Sequence, residues 1–189
     1  MRDMTAKKHH ASGISWKIAA ADVLLFLVLT ALDQGTKYEA VLHLKDQADF
    51  ILIPGVFRLT YIENFGAAFG TLENSRIFLL ILNGILMLYI LLVYRNILKN
   101  GGYQVMRICC VGILAGGIGN IADRLIRGYV VDFIYAELID FPVFNIADCY
   151  ITGSVALLLG AVFTIYREED LERLLPFGKG KTHDGNAQK

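Results

Sequence analysis

The sequence carries no surplus of charge: 18 Lys and Arg stand against 18 Asp and Glu, for a net charge of zero. Without a basic field there is no electrostatic footprint for nucleic acid, and that partner class is set aside. Histidine is scarce, and all four (His9, His10, His43, His183) lie far from the main group of acids. Catalytic zinc usually needs histidine or cysteine beside a working carboxylate, so the pattern speaks against a zinc protease, and no metal is expected. Neither H-E-x-x-H nor G-x-S-x-G occurs, which removes the usual signatures of zincins and α/β-hydrolases. The three cysteines, Cys109, Cys110 and Cys149, are an odd number with two adjacent. They form no disulfide framework and read as small buried apolar residues. No cofactor is expected.

Apolar residues are what the chain has in plenty. They make up 55% of it, only 19% is charged, and the mean hydropathy is +0.49. Those values point to a membrane protein of a few spanning helices. A polar, basic start over residues 1–17 runs into an apolar stretch, Ile18 to Leu32. No small-residue cleavage site follows, so this reads as a retained span rather than a removed leader. Asp22 leaves only ten uninterrupted apolar residues, Val23 to Leu32. A crossing needs about 20, so the helix is expected to continue through Asp33 and Lys37 toward Val41, with Asp22 near the inner interface. Asp33 and Lys37 are spaced i, i+4, acid first, which suits an ion pair facing the bundle.

Phe50 to Asn64 alternates around Pro54-Gly55 and predicts a short hairpin. Gly66, Ala67, Ala68 and Gly70 then allow close backbone approach, to a ligand or to another helix. Asn74-Ser75 is a candidate cap for a second span, Ile77 to Tyr94, and Arg95 to Arg107 reads as a basic connection. Ile108 to Ala122 is the third span, and its small residues Gly112, Ala115, Gly116, Gly117 and Gly119 favour tight helix packing. Ile146 to Tyr166 is the fourth, and the tail from Arg167 reads as a charged helical turn or two with a solvated end. Placing both ends inside puts twelve of the eighteen Lys and Arg on the inner side, the orientation that the positive-inside rule favours. The expected organisation is an inner N-terminal segment (1–17), a mainly α membrane domain of four helices (18–166) with a β cradle at 41–70, and an inner tail (167–189).

Between the third and fourth spans, Gly116 to Asp148 concentrates the polar residues: Asp123, Asp132, Glu137, Asp140, Asp148, Asn120, Asn145, Arg124 and Arg127. Ionisable groups pressed against spanning helices are costly, and by default they mark a functional site. Asp132 lies in the apolar run Tyr129-Val130-Val131-Asp132-Phe133-Ile134, while Asn145 and Asp148 have the spacing of a capping box. No other nucleophile is available, because Ser154 is mid-span with no histidine to serve it. Two carboxylates sharing a site remain the economical route to hydrolysis. At about 5 Å and a dielectric of about 20, they repel by roughly 3 kcal/mol. That separates their pKa values by about two units, so one serves as base while its partner serves as acid. Spacing alone does not single out Asp132 and Asp148 from Asp123, Glu137 and Asp140.

Four blocks, in this order, resemble the lipoprotein signal peptidase (signal peptidase II) family of bacterial membrane aspartyl peptidases. They are Asp33-Gln34-Gly35-Thr36-Lys37; Tyr61 to Phe69; Gly116 to Arg124 leading to Val130-Val131-Asp132-Phe133; and Phe144 to Asp148. The resemblance runs from about Trp16 to Arg167. It implies an aspartic endopeptidase with Asp132 and Asp148 as catalytic dyad. It also implies that Asn64, Gly66, Asn120, Arg124 and Asn145 hold substrate or orient the dyad, with Asp33, Lys37 and Asp123 in support. The implied substrate is a diacylglyceryl-modified prolipoprotein, cut immediately before its lipidated cysteine. Implied too are membrane lipid as surroundings, globomycin-like peptides as inhibitors, a monomer, the bacterial inner membrane, and an active site at its outer face. Two features depart from the family pattern: Asp22 shortens the first apolar run, and Glu137 and Asp140 add acids that read as solvated loop charges. The rival readings are an ion-coupled carrier with Asp33, Asp132 and Asp148 as relay, and a lipid-binding structural protein. A relay would place its acids within the spans, whereas these cluster at span ends on one side.

Overall fold

The computed structural model describes residues 15–66 and 76–176. Four of its helices are long and apolar enough to cross a membrane: α1 (Trp16–His43), α2 (Arg76–Asn100), α3 (Gln104–Ile126) and α4 (Ile146–Thr164). Between them lie β1 (Phe50–Ile53), β2 (Phe57–Asn64) and β3 (Val130–Ala136), and a short α5 (Glu168–Leu174) follows α4. The expected small-residue stretch beyond Gly66, the Asn74-Ser75 cap, most of the N-terminal segment and the end of the tail lie outside the described residues.

The third span is the axis of the bundle. In its most apolar window α3 is 67% buried, against 11% for each of the other three. Its small residues explain why. A Cβ on Gly116 would meet the Ala147 carbonyl and Ile151 of α4, and one on Gly119 would fall on the Asp33 carboxylate of α1. Only glycine lets both neighbours come this close, which matches the packing expected from the sequence. The outward faces of α1, α2 and α4 carry exposed Leu, Ile, Val and Phe, as lipid contact requires.

The three strands form one antiparallel sheet in the order β1-β2-β3. The hairpin predicted around Pro54-Gly55 is present, but it makes only two-thirds of the sheet. The strand at Val130–Ala136 completes it, pairing Ile62 with Asp132 and Asn64 with Val130. No alternation announces this strand, because β3 is buried on both faces, and a continuous apolar run gives no period to read. Val131 and Phe133 pack on Ala40 and Leu44 at the end of α1. Phe144 then bonds back to Ile134 (N–H to carbonyl, 3.0 Å), so the chain enters α4 beside the strand it has just left.

Other boundaries move. The connection expected at Arg95 to Arg107 is mostly helical, with only Gly101, Gly102 and Tyr103 between α2 and α3. Helix α1 is one unbroken span from Trp16 to His43, longer than the apolar run at both ends. It holds Asp22 in its interior because Arg107 and the Tyr94 hydroxyl (2.8 Å) take that carboxylate's two oxygens. The charged helical turn expected at the start of the tail is α5, and its Leu174 is buried against Val93, Ile97, Met106 and Cys110. Cys109 and Cys110 are buried as expected, but Cys149 is exposed, on the open side of α4.

Candidate active site

The acids of the Gly116 to Asp148 stretch come from four elements, and the fold sorts them. Asp132 projects from β3, where it is 2% exposed, and Asp148 from the first turn of α4. Both line one cleft of about 830 Å³, together with Asn64, Gly66, Asn120 and Arg124. Glu137 and Asp140 are elsewhere. Glu137 stands 3.9 Å from the Arg58 guanidinium, and exposed Asp140 accepts from the Tyr135 hydroxyl. Asp140, like Leu138 and Ile139 before it, is exposed at the surface. As expected, neither acid joins the other two.

Asparagine amides position the two carboxylates. Asn145 is fully buried, and its Nδ2 donates to Asp132 Oδ1 at 2.6 Å. Its Oδ1 accepts from the Asp148 backbone N–H at 3.0 Å, while its own N–H donates to Asp148 Oδ2 at 3.2 Å. The capping box expected from the spacing therefore exists, and the same residue also bridges to Asp132. Capping and site geometry are one arrangement. On the outer flank, Asn64 Nδ2 donates to Asp132 Oδ2 at 2.8 Å. On the inner flank, Asn120 Nδ2 donates to Asp148 Oδ1 at 2.9 Å.

Behind the amides lies a closed charged group. Lys37 is 0% exposed; its ammonium is 3.0 Å from both Asp33 Oδ2 and Asp123 Oδ2, and it donates to Asn120 Oδ1 at 2.9 Å. Three donors thus meet three acceptors, which a buried ammonium requires. The pairing of Asp33 and Lys37 expected from their spacing is present. Asp33 Oδ1 also accepts the Ala147 N–H at 3.0 Å, fixing the start of α4 to α1. Asp123 accepts the Val131 N–H at 3.3 Å, fixing the start of β3 to α3. Arg124 donates to the carbonyls of Asn120 (3.4 Å) and Gly66 (3.0 Å), and so holds the chain after β2 over the cleft.

Electrostatics separates Asp132 from an ordinary aspartate. Burial pushes its carboxyl up to about 6; the donors from Asn64 and Asn145 oppose the shift, and the Asp148 charge adds to it. An acid near 6 exchanges protons readily close to neutral pH. Among the described residues, no group of three or more His, Cys, Asp or Glu is placed to hold a metal ion.

Sequence reasoning missed Gln34. Its Nε2 reaches Asp33 (3.1 Å), the Gly119 carbonyl (3.3 Å) and Asp123 (3.4 Å). The available signal was an amide next to a charged residue inside an apolar helix. Also missed was the cleft's apolar wall, in which Phe57 and Phe141 lie outside every motif.

Known proteins resemble this chain in sequence and in fold. The family model described as signal peptidase (SPase) II matches residues 25–164. The lipoprotein signal peptidase of Streptococcus thermophilus is 40% identical over 148 residues, covering 76% of this chain and 91% of that protein. That of Streptococcus pyogenes serotype M5 is 36% identical over 153 residues, covering 78% and 94%. Two solved bacterial membrane enzymes superpose with TM-scores of 0.68 and 0.69 at 31% and 30% identity. They cover 79% and 84% of this chain and 93% and 100% of their own. With sequence and fold in agreement over most of its length, the chain belongs to the signal peptidase II family and is a multi-pass membrane protein.

Proposed function

We propose that this protein cleaves the signal peptide from diacylglyceryl-modified prolipoproteins immediately before the lipidated cysteine, with Asp132 and Asp148 as an aspartic dyad. One observation carries the reading: two carboxylates from separate elements face one cleft, bridged by a single buried asparagine. One carboxylate takes a proton from water as its oxygen attacks the scissile carbonyl carbon. The other gives a proton to the carbonyl oxygen, so the intermediate is a neutral gem-diol. Return of a proton to the amide nitrogen lets the C–N bond break, leaving a free carboxyl on the signal peptide and an amine on the cysteine.

The surrounding residues suit this chemistry. Asn64, Asn120 and Asn145 fix the carboxylate orientations, and the Arg124 clamp on Gly66 sets the backbone beside the substrate. Asp33, Lys37 and Asp123 hold those elements in register. The cleft reaches Thr152 and Gly153 on α4 and has a mostly apolar wall, which suits a lipid-bearing peptide entering sideways from the bilayer. We place the enzyme in the bacterial inner membrane as a monomer, both ends inside and the cleft at the outer face. Globomycin-like peptides would compete for the same cleft.

A gel-shift cleavage assay on a diacylglyceryl-modified prolipoprotein in detergent tests the proposal. Asp132→Asn and Asp148→Asn, each checked for folding, are each expected to lose about 10²–10⁴-fold in rate, while the Glu137 and Asp140 amides stay active. Cleavage by both dyad variants at the native rate would sink the assignment.

A further inference from the structure

The end of the bundle opposite the acidic cleft holds a second cavity, of about 580 Å³. Its walls include the start of α3, the chain leaving α4, and α5. The part beyond Thr164 lies past the residues matched by the family model, so α5 closes a site that the family match does not account for.

One side of the cavity suits an anion. Arg107 lines it and is 9% exposed; its Nη1 pairs with Asp22, but its Nε and Nη2 donate to nothing among the described residues. Arg173 lines it as well, with no ion-pair partner among the described residues. Between them lies the first turn of α3, whose N-cap Tyr103 makes no side-chain capping bond. The Gln104 backbone N–H at this turn has no intrahelical acceptor. Such amides favour a phosphate.

The other side suits a cation. Asp170 accepts the Tyr103 hydroxyl on Oδ1 at 3.0 Å and the Arg167 N–H on Oδ2 at 3.1 Å, and each oxygen keeps a further lone pair. The rings of Tyr103 and Tyr166 meet beside it, centroids 5.7 Å apart, and offer the π faces that ammonium groups favour. The charges balance, Arg107 and Arg173 against Asp170 and the Asp22 behind Arg107. A ligand with one charge of each sign is therefore matched better than a net anion. Ile18 and Ile165 give the rim an apolar edge at the ends of their spans. We propose that this cavity binds the headgroup of a phospholipid carrying a phosphate and a primary ammonium, at the membrane surface opposite the dyad.

Native mass spectrometry of the full-length protein, with lipid titrated into detergent, tests this without any cleavage readout. Phosphatidylethanolamine is expected to be retained more strongly than phosphatidylcholine or phosphatidylglycerol, and to raise Tm. Arg173→Ala and Arg107→Lys are each expected to weaken retention by about tenfold, the loss of one charge-assisted contact. The lysine keeps a cation beside Asp22 and loses only the spare donors, and Tm without lipid checks its folding. Equal retention of the three lipids, or unchanged retention in both folded variants, would overturn the proposal. Soluble phosphoethanolamine stabilising the protein as much as the lipid does would reassign the site to a soluble phosphomonoester.

Discussion

Two groups of buried charges join α1 to α3, one at each end of the bundle, and they are built on opposite principles. At the end away from the cleft Asp22 meets Arg107, with the Tyr94 hydroxyl on its second oxygen, one acid to one base. At the cleft end, Lys37 serves both Asp33 and Asp123, Arg127 stands 3.6 Å from the other Asp123 oxygen, and through Asn120 and Asn145 the network runs on to Asp148 and Asp132. The Asp22–Arg107 pair is matched in charge and lies between helices, with only the spare Arg107 donors turned to the cavity beside it. The cleft group gathers four acids around three bases, Lys37, Arg124 and Arg127, and leaves the surplus acid at the cavity surface. Balanced burial fixes helix register, whereas surplus negative charge keeps a proton available.

Removing Lys37 should separate the two groups most sharply. Lys37→Met leaves Asp33 and Asp123 buried with no ammonium between them. Breaking a buried ion group costs about 3–5 kcal/mol, and detergent unfolding should show a loss of that size together with loss of cleavage. A folded Lys37→Met protein of native activity would mean that the network does not position the site. The Asp22–Arg107 pair should behave otherwise in a double-mutant cycle. Arg107→Met alone is expected to cost about 3 kcal/mol, and adding Asp22→Leu should recover most of it, because apolar residues often replace a closed buried pair without loss. Cleavage by the folded double variant should stay within a few-fold of native. Loss of activity there would show that the two ends are coupled through α3.

The contrast between these groups was only half visible in the sequence. Asp33 and Lys37 announce their contact by spacing, as do Asn145 and Asp148, because one helical turn fixes both distances. The glycines of α3 likewise announce a close-packed helix. The partnership of Asp22 with Arg107 was hidden, since 85 residues separate them, Asp22 looked like a flaw in a span and Arg107 like part of a basic connection. The strand carrying Asp132 was hidden by its burial on both faces. The meeting of Asn64 with Asp132 depends on sheet register, which local pattern does not set. The docking of α5 rests on buried Leu174 with Leu171 beside it and on bonds from Asn96 and Tyr103, contacts hidden in a segment dominated by charge.

The smallest expected effect concerns the proton that the cleft group holds. Folding raises the Asp132 carboxyl to about 6, above its usual aspartate value. Between those limits the folded protein binds a proton that the unfolded chain has released. Its contribution to stability is therefore whole below pH ~4 and declines as pH rises toward 6. Two units correspond to about 3 kcal/mol at most, with the opposing effect of Lys37 and the amides already included. Asp132→Asn cannot release that proton, so its stability, measured by detergent unfolding against the native protein, should gain steadily from pH 4 to pH 7. The Asp22→Leu/Arg107→Met protein should keep the native slope, because its change lies at the far end of α3. Parallel curves for native and Asp132→Asn would mean that the carboxyl is already ionised on folding, and that the surplus charge of the cleft is relieved by something other than a shared proton.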